Sequence, residues 1–407
     1  MSLHKKSLTI YVVFVGIFVL TNIYFGYRIL SEKHVYTQND VLSEVALLRG
    51  NTKTFKELSH FFSDLAEKKG GKYAFDVLRV ADIPKGTDIH LLAHVVGDVL
   101  YRQEGMKGIR LCTDDFRNAC SHTIVVGTLL EKGAGALGQI ADICKQAPGG
   151  NGAYTMCFHG LGHGVLAFTN YNMEKAAELC ATLGTKEYQN REYYECVGGM
   201  MMEMIGGVHN PTAWAKVKGQ YFKEDDPLYP CTADFIPPVA RHMCYMYITP
   251  HLFEAAGASL SNPGPEQFKE AFTFCSAAPR ENEAQACYGA FGKEFIVLVQ
   301  GRDIRAIEEL TEKQLETVYD WCMLAPKESA KSACLESAIA SMYWGGENSP
   351  DVILRFCAVQ KTDAHKEFCY HELIGNVRMY IKNDEYRRSV CAKFPSEMRE
   401  VCTSALL

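Results

Sequence analysis

Histidine is the residue type whose spacing in this chain most clearly indicates chemistry. Five of the thirteen histidines lie between residues 90 and 163. His90 and His94 are four residues apart, as are His159 and His163. On a helix, residues four apart share one face and lie close enough to hold one ion between them. Neutral imidazole is a common ligand for zinc, copper, iron and nickel, so these pairs predict a transition-metal site.

The position of the histidines relative to the cysteines adds a fifth member to this group. His122 lies two residues after Cys120, and His159 occupies the same position after Cys157. Equivalent positions on neighbouring helical repeats lie on one surface, so we expect these side chains to converge. The predicted metal ligands are His90, His94, His122, His159 and His163. Zinc is the expected ion, with copper, iron or non-covalently bound haem as alternatives.

Two acidic residues are the candidate catalytic groups. Glu203 lies on the next helix at about the height of His163, and Asp98 lies one turn beyond His94. Either carboxylate could move a proton at a metal-bound water. The chain has no His-Glu-x-x-His, no Gly-x-Ser-x-Gly and no phosphate-binding loop, so those enzyme classes are not indicated. The alternative interpretation is that the histidines are packing residues.

Sixteen cysteines form eight consecutive pairs, which indicates a disulfide framework. An even count in a regular order is typical of an exported chain. Structural zinc sites usually contain closely spaced Cys-x2-4-Cys pairs, and here the closest pair is eight residues apart. Nearest-neighbour pairing is the expected connectivity, although spacing alone does not fix it. The pairs are Cys112/Cys120, Cys144/Cys157, Cys180/Cys196, Cys231/Cys244, Cys275/Cys287, Cys322/Cys334, Cys357/Cys369 and Cys391/Cys402.

The same pairs mark a repeat of two helices. The first cysteine ends a helix A, and the second lies in the first turns of a helix B. Cys287, Phe291 and Phe295 illustrate the apolar face of one B helix. First cysteines recur every 32 to 51 residues, a pitch typical of stacked helical pairs. The sequence therefore predicts an all-α fold of disulfide-stapled helical hairpins, resembling an α-solenoid, behind one N-terminal transmembrane helix.

The N-terminus predicts that membrane helix. Residues 7–27 are uncharged and rich in Val, Ile, Phe and Tyr, long enough to cross about 30 Å of hydrocarbon. Lys5 and Lys6 precede the run, which places residues 1–6 in the cytoplasm and the remainder outside, in the periplasm or the extracellular space. A cleaved signal peptide is the alternative, but no Ala-x-Ala-like site follows the run.

These features divide the chain into five predicted segments. The net charge of −6 does not favour a nucleic-acid partner, which would require a basic surface. The segments are a cytoplasmic tip (1–6), a transmembrane anchor (7–30), a helical stalk or N-terminal cap (31–87), histidine-containing repeats (88–230) and C-terminal stapled repeats (231–407).

The motifs of residues 88–205 resemble those of a bacterial family of cysteine-rich helical-repeat proteins. That family combines a His-x3-His-x2-Gly element with repeats of Cys-Tyr-His-Gly type. Here the corresponding stretches are His-Leu-Leu-Ala-His-Val-Val-Gly and Cys-Phe-His-Gly-Leu-Gly-His-Gly, while Cys120 is followed by the variant Ser-His-Thr. The resemblance implies helical repeats and a histidine cluster but no particular reaction. The residues on recurrent family positions are His90, His94, His122, His159 and Glu203.

Two functions from different classes fit these observations. The first is a membrane-anchored extracytoplasmic protein that binds a transition metal, for hydrolysis or for metal handling. The second is a non-catalytic scaffold whose concave face binds a protein, peptide or glycan. The sequence leaves open whether the protein is an enzyme.

Overall fold

The computed structural model describes residues 36–258 and 263–406. All regular secondary structure in these ranges is helical, which confirms the all-α prediction. The predicted anchor at 7–30 lies outside the described residues. Among the helices inside them, none combines the length and apolar character that a membrane crossing requires.

The described helices belong to two units. Helix α1 (Gln38–Ala46) is in a unit that ends at Leu47, and the other helices are in the unit that begins at Leu48. Those helices are α2 (Phe55–Lys69), α3 (Gly71–Val80), α4 (Ile89–Glu104), α5 (Asp115–Lys132), α6 (Leu137–Cys144), α7 (Gly150–Phe168), α8 (Met173–Ala181), α9 (Arg191–Gly206), α10 (Pro211–Tyr221), α11 (Arg241–Tyr247), α12 (Thr249–Ala255), α13 (Pro265–Cys275), α14 (Glu281–Val299), α15 (Glu312–Cys322), α16 (Glu328–Tyr343), α17 (Asp351–Ala358), α18 (Asp363–Tyr380), α19 (Asp384–Ala392) and α20 (Ser396–Leu406).

All sixteen cysteines are paired, and each bond joins nearest neighbours as predicted. In six repeats the first cysteine lies at or near the end of a helix A. The other two differ, because Cys112 follows a 3-10 turn and Cys231 lies in an irregular segment before α11. Closing a loop of about 12 residues stabilises a fold by roughly 3 kcal/mol in the chain-entropy model. The disulfides therefore stabilise helical hairpins that are too small to form hydrophobic cores of their own.

The second helices of the repeats form one continuous inner row. Helices α4, α5, α7, α9, α11, α14, α16 and α18 each pack against the next in that order. The row bends back on itself. The Gly86 amide donates to the Gly301 carbonyl at 2.8 Å, and the Arg305 guanidinium donates to the carbonyls of Leu78 and Ala81. Residues from both halves of the chain therefore face one interior cavity.

Glycines allow the inner helices that carry the histidines to approach one another closely. A Cβ atom on Gly199 would lie 1.8 Å from the carbonyl oxygen of His159, and one on Gly162 would lie 2.1 Å from that of Cys196. A Cβ on Gly160 would lie 2.5 Å from the Cα of His122. Only glycine fits at such contacts, so these three residues determine how near the histidine-bearing helices can come.

Candidate metal centre

Six histidine side chains form one contiguous group in the interior, defined here as the histidine cluster. All five predicted ligands are in it, and His209 is the sixth. Neighbouring ring centroids lie between 4.6 Å (His90 to His94) and 6.0 Å (His94 to His163) apart. The structure therefore brings together side chains from α4, α5, α7 and the segment after α9. The cluster consists of His90, His94, His122, His159, His163 and His209.

Local structure sets the orientation of His90. The Asp88 side chain caps α4 by accepting the Leu91 amide at 3.1 Å, which places His90 in the first turn of that helix. The His90 Nδ1 atom lies 2.7 Å from the carbonyl oxygen of Phe116. A carbonyl can only accept, so Nδ1 carries the proton and Nε2 keeps its lone pair. Fixing the tautomer through the other ring nitrogen is typical of metal-binding histidines.

The first candidate ligand group is formed by His90, His94 and His122. Their ligand atoms all lie within 4.8 Å of one another. The Nε2 atoms of His90 and His94 are 3.1 Å apart. Two imidazole nitrogens on a tetrahedral zinc ion, each at about 2.0–2.1 Å, would be separated by about 3.3–3.4 Å. Helices α4 and α5 therefore already hold these nitrogens near the separation that such an ion requires.

Several imidazole nitrogens in the cluster are buried and have no hydrogen-bond partner. They are Nδ1 of His94, both ring nitrogens of His122, Nδ1 of His159 and Nε2 of His163. Leaving a buried polar group unsatisfied costs about 1–3 kcal/mol, so such groups are rare and usually have a reason. A bound cation would give each lone pair a partner. Packing alone does not explain why so many unsatisfied nitrogens lie together.

The second candidate ligand group centres on Glu203, whose side chain is fully buried. Its carboxylate lies 3.1 Å from Nδ1 of His163 and 2.8 Å from Nδ1 of His209. It also accepts the Tyr171 hydroxyl at 2.5 Å and the His209 amide at 3.0 Å. When Nδ1 of each ring donates to this carboxylate, Nε2 is left free to bind a metal, which is the usual carboxylate–histidine–metal arrangement.

A glycine turn brings His209 back to this carboxylate. Helix α9 ends at Gly206, and Gly207 adopts a φ of 62° while its amide donates to the Glu203 carbonyl at 2.7 Å. Positive φ is readily adopted by glycine, which explains the residue type at this position. The indole of Trp214 donates to the Met204 carbonyl at 2.7 Å and closes the turn. His209 therefore reaches the site without belonging to any repeat.

Burial favours the neutral form of most imidazoles in the cluster. It lowers the pKa of His90 and of His163 to about 4 and that of His159 to about 3. For His209, burial lowers the pKa but the hydrogen bond to ionised Glu203 outweighs it, so the net direction is upward. Metal ligation requires neutral imidazole, so three of the predicted ligands are in the required form well below neutral pH.

This electrostatic environment makes a testable prediction. We expect the rings of His90, His159 and His163 to remain neutral at pH 5.5, where an ordinary imidazole with a pKa near 6.5 is mostly protonated. Long-range ¹H–¹⁵N spectra of protein labelled at histidine report the protonation state of each ring. Protonation of any of these three rings above pH 5.5 would contradict the burial argument.

The two predicted catalytic carboxylates have different surroundings. The Glu203 carboxylate lies within hydrogen-bonding distance of four groups: Nδ1 of His163, Nδ1 of His209, the His209 amide and the Tyr171 hydroxyl. Asp98 is exposed and is in neither ligand group, although its charge interacts with that of His209. Their catalytic roles remain predictions.

Two important residues were missed at the sequence level. His209 follows no cysteine at the repeat spacing, so the repeats gave no signal for it. Tyr171, which is completely buried and bound to Glu203, lies in the turn between α7 and α8.

Comparison with protein-family models, with curated proteins and with solved structures finds no match to this chain. The function is therefore argued from the geometry of the site.

Proposed function

We propose that this chain is an extracytoplasmic metalloprotein that binds a transition metal through the histidine cluster, with zinc as the first choice. The primary ligands are His90, His94 and His122. The observation that carries the proposal is the set of buried imidazole nitrogens in the cluster that have no hydrogen-bond partner. It is supported by the 3.1 Å separation of the Nε2 atoms of His90 and His94, which contact each other directly. The eight disulfides support an oxidising compartment.

The donor set fits this class of ion. Imidazole nitrogens suit zinc, copper, iron and nickel, and all sixteen cysteines are in disulfides, so no thiolate competes. Three protein ligands with one open position are typical of catalytic zinc sites, in which the ion supplies a water of lowered pKa. Here His90, His94 and His122 open onto an internal cavity of about 540 Å³, which gives a substrate room to approach. Hydrolysis is therefore the reaction class that we propose.

Glu203 has a positioning role in this proposal. Its carboxylate holds the rings of His163 and His209 through Nδ1, and the Tyr171 hydroxyl holds the carboxylate in turn. Hydrogen bonds from His163 and His209 outweigh burial and lower the pKa of Glu203, so the carboxylate stays ionised. The group that it forms with His163 and His209 is a second set of ligands that could hold another ion.

The membrane anchor and the family resemblance belong to the proposal as well. The basis for the anchor is the apolar run at 7–27, and the basis for the resemblance is the set of histidine motifs. The alternative function is a stapled scaffold that binds a protein, peptide or glycan, in which case the histidines would need no ion.

A double variant separates the two functions. We expect His90→Ala combined with His159→Ala to abolish zinc binding in a competition titration, while far-UV circular dichroism remains that of the parent. The matched control is His371→Ala, because His371 occupies the same position after its cysteine but is exposed. Unchanged zinc binding by the double variant would exclude the group of His90, His94 and His122 as the binding site and contradict the proposed primary ligands.

Glu203→Gln tests the positioning role. A neutral amide cannot hold the rings of His163 and His209 as strongly, so we expect the affinity for a zinc ion at this second ligand group to fall by about 10- to 100-fold, the usual effect of losing a partner of this kind. Competition titration with a chromogenic chelator measures the change, and Glu367→Gln on the exposed surface is the control. Zinc affinity equal to that of the parent would show that Glu203 does not orient metal ligands.

A further inference from the structure

The cavity beside the histidine cluster has a wall that the proposed metal site does not use. Five histidines of the cluster line one side. Lys293 from α14, Trp344 and the side chain of Arg117 also line it. Two cationic side chains next to a metal site indicate a binding partner for negative charge.

The ring of Tyr247 lies between Lys293 and the histidine cluster. It occupies the position after Cys287 that His163 occupies after Cys157. Its ammonium group donates to the Met246 carbonyl at 3.1 Å and lies 3.8 Å from the centre of the Tyr247 ring. That ring is in turn 4.9 Å from the ring of His159. The side chain is about nine-tenths buried, so its charge is directed at the cavity rather than at bulk water.

Arg117 lines the same cavity and has an unusual backbone conformation. Phe116, Arg117 and Asn118 have φ values of 55°, 54° and 62°. Non-glycine residues rarely adopt this conformation, and backbone strain of this kind is concentrated at functional sites. The guanidinium stacks on Trp344 at 4.3 Å and donates to Ser341, while its Nε atom is buried without a partner.

The nearby acids only partly balance these cations. Glu294 lies 3.6 Å from the Lys293 ammonium. Asp88, which also lines the cavity, attracts the charge of Arg117. Burial raises the pKa of Glu347, beside Arg117, to about 8, which weakens the negative charge of that carboxyl near neutral pH. The two cations also repel each other across the cavity, and burial lowers the pKa of both. An anion between them would relieve that repulsion.

The rest of the cavity is largely apolar. Its lining includes Met202, Ile205, Val208, Trp214 and Val297. An inorganic anion has no apolar part and would leave this apolar surface in contact with water. An organic anion would bury the surface against its own apolar part.

We propose that the cavity binds an organic carboxylate with an apolar body, whose carboxylate lies between Arg117 and Lys293 beside the histidine cluster. This inference deepens the proposed function and rests on it for the role of the ligand as substrate. The carboxylate would be fixed by charge-assisted hydrogen bonds, and the apolar body would lie along Met202 and Trp214.

The test uses octanoate as the probe, with the full chain oxidised and loaded with zinc. Calorimetric titration with octanoate is compared with 1-octanol, which lacks the charge, and with inorganic phosphate, which lacks the chain. We expect octanoate to bind at least about tenfold more tightly than either. We also expect Lys293→Met and Arg117→Met each to lower the affinity for octanoate at least about tenfold. Lys293→Arg should retain part of the affinity that Lys293→Met loses. Lys269→Met on an exposed part of α13 is the control.

The outcomes separate this inference from the proposed function, because zinc content is measured on the same samples. Suppose that zinc is bound but octanoate binds no more tightly than octanol, or phosphate binds as tightly as octanoate. Either result would overturn the inference and leave the proposed metal site intact. An effect of Lys269→Met equal to that of Lys293→Met would also overturn it. If the protein binds no zinc, the proposed function is overturned. The comparison of octanoate with octanol would still test whether Arg117 and Lys293 bind a carboxylate. That comparison needs only the parent chain, so it holds even if a variant does not fold.

Discussion

His94→Ala is expected to lower zinc affinity by more than about 100-fold. The ring centroids of four other histidines lie within 6.0 Å of that of His94. Its Nε2 faces that of His90, and its Nδ1 is buried without a partner. Loss of an outer-shell partner of a metal ligand typically lowers metal affinity by about 10- to 100-fold. We expect the loss of a direct ligand to lower the affinity further.

Competition titration of the parent and the variant measures this effect. His371→Ala is the control, because it removes an exposed imidazole from another B helix and should leave zinc affinity unchanged. The substitution leaves a cavity at a buried site and so costs some stability, and far-UV circular dichroism checks that the variant still folds. A folded His94→Ala protein that binds zinc as tightly as the parent would rule out the first ligand group.

Gly199→Ala is expected to destabilise the protein by about 3 kcal/mol or more. The added Cβ would lie 1.8 Å from the His159 carbonyl, so the backbones of α7 and α9 would have to separate. Forcing extra atoms into a packed interior typically costs about 1–3 kcal/mol, and here the obstacle is backbone rather than a flexible side chain. The same separation would move His159 and His163 away from the ligands on α4 and α5.

Denaturant unfolding of the oxidised chain measures the change in free energy, and zinc titration measures the change at the site. Gly219→Ala is the matched control, since it is also a helical glycine but has open space around the added Cβ. Equal unfolding free energies for Gly199→Ala and the parent would mean that the helices do not approach as closely as the structure shows.

The repeats could be predicted because their signals are local. Each cysteine pair spans 8 to 16 residues, so the end of one helix can reach the first turns of the next within a single hairpin. The same register placed His122 and His159 on one surface, and the structure confirms that the two rings are neighbours at 5.5 Å. Periodicity and repeat position were sufficient for this part of the site.

The remainder of the site depends on contacts that no local pattern encodes. His209 reaches Glu203 through the turn at Gly207, outside the repeat spacing. Arg117 meets Trp344 more than two hundred residues later in the chain because the inner row bends back. Long-range hydrogen bonds such as the one from Arg305 to the carbonyl of Leu78 join the two halves of the chain there. The cationic wall of the cavity was therefore not visible in the sequence.

The measurement that tests the central claim most directly is the metal content of the oxidised full chain, purified without a histidine tag and analysed by elemental mass spectrometry. The account predicts at least one equivalent of a transition metal per chain, either as purified or after loading with zinc, and loss of that metal in His94→Ala. No bound metal after loading with zinc, copper and iron would contradict the account and leave the cluster as buried histidines without an ion.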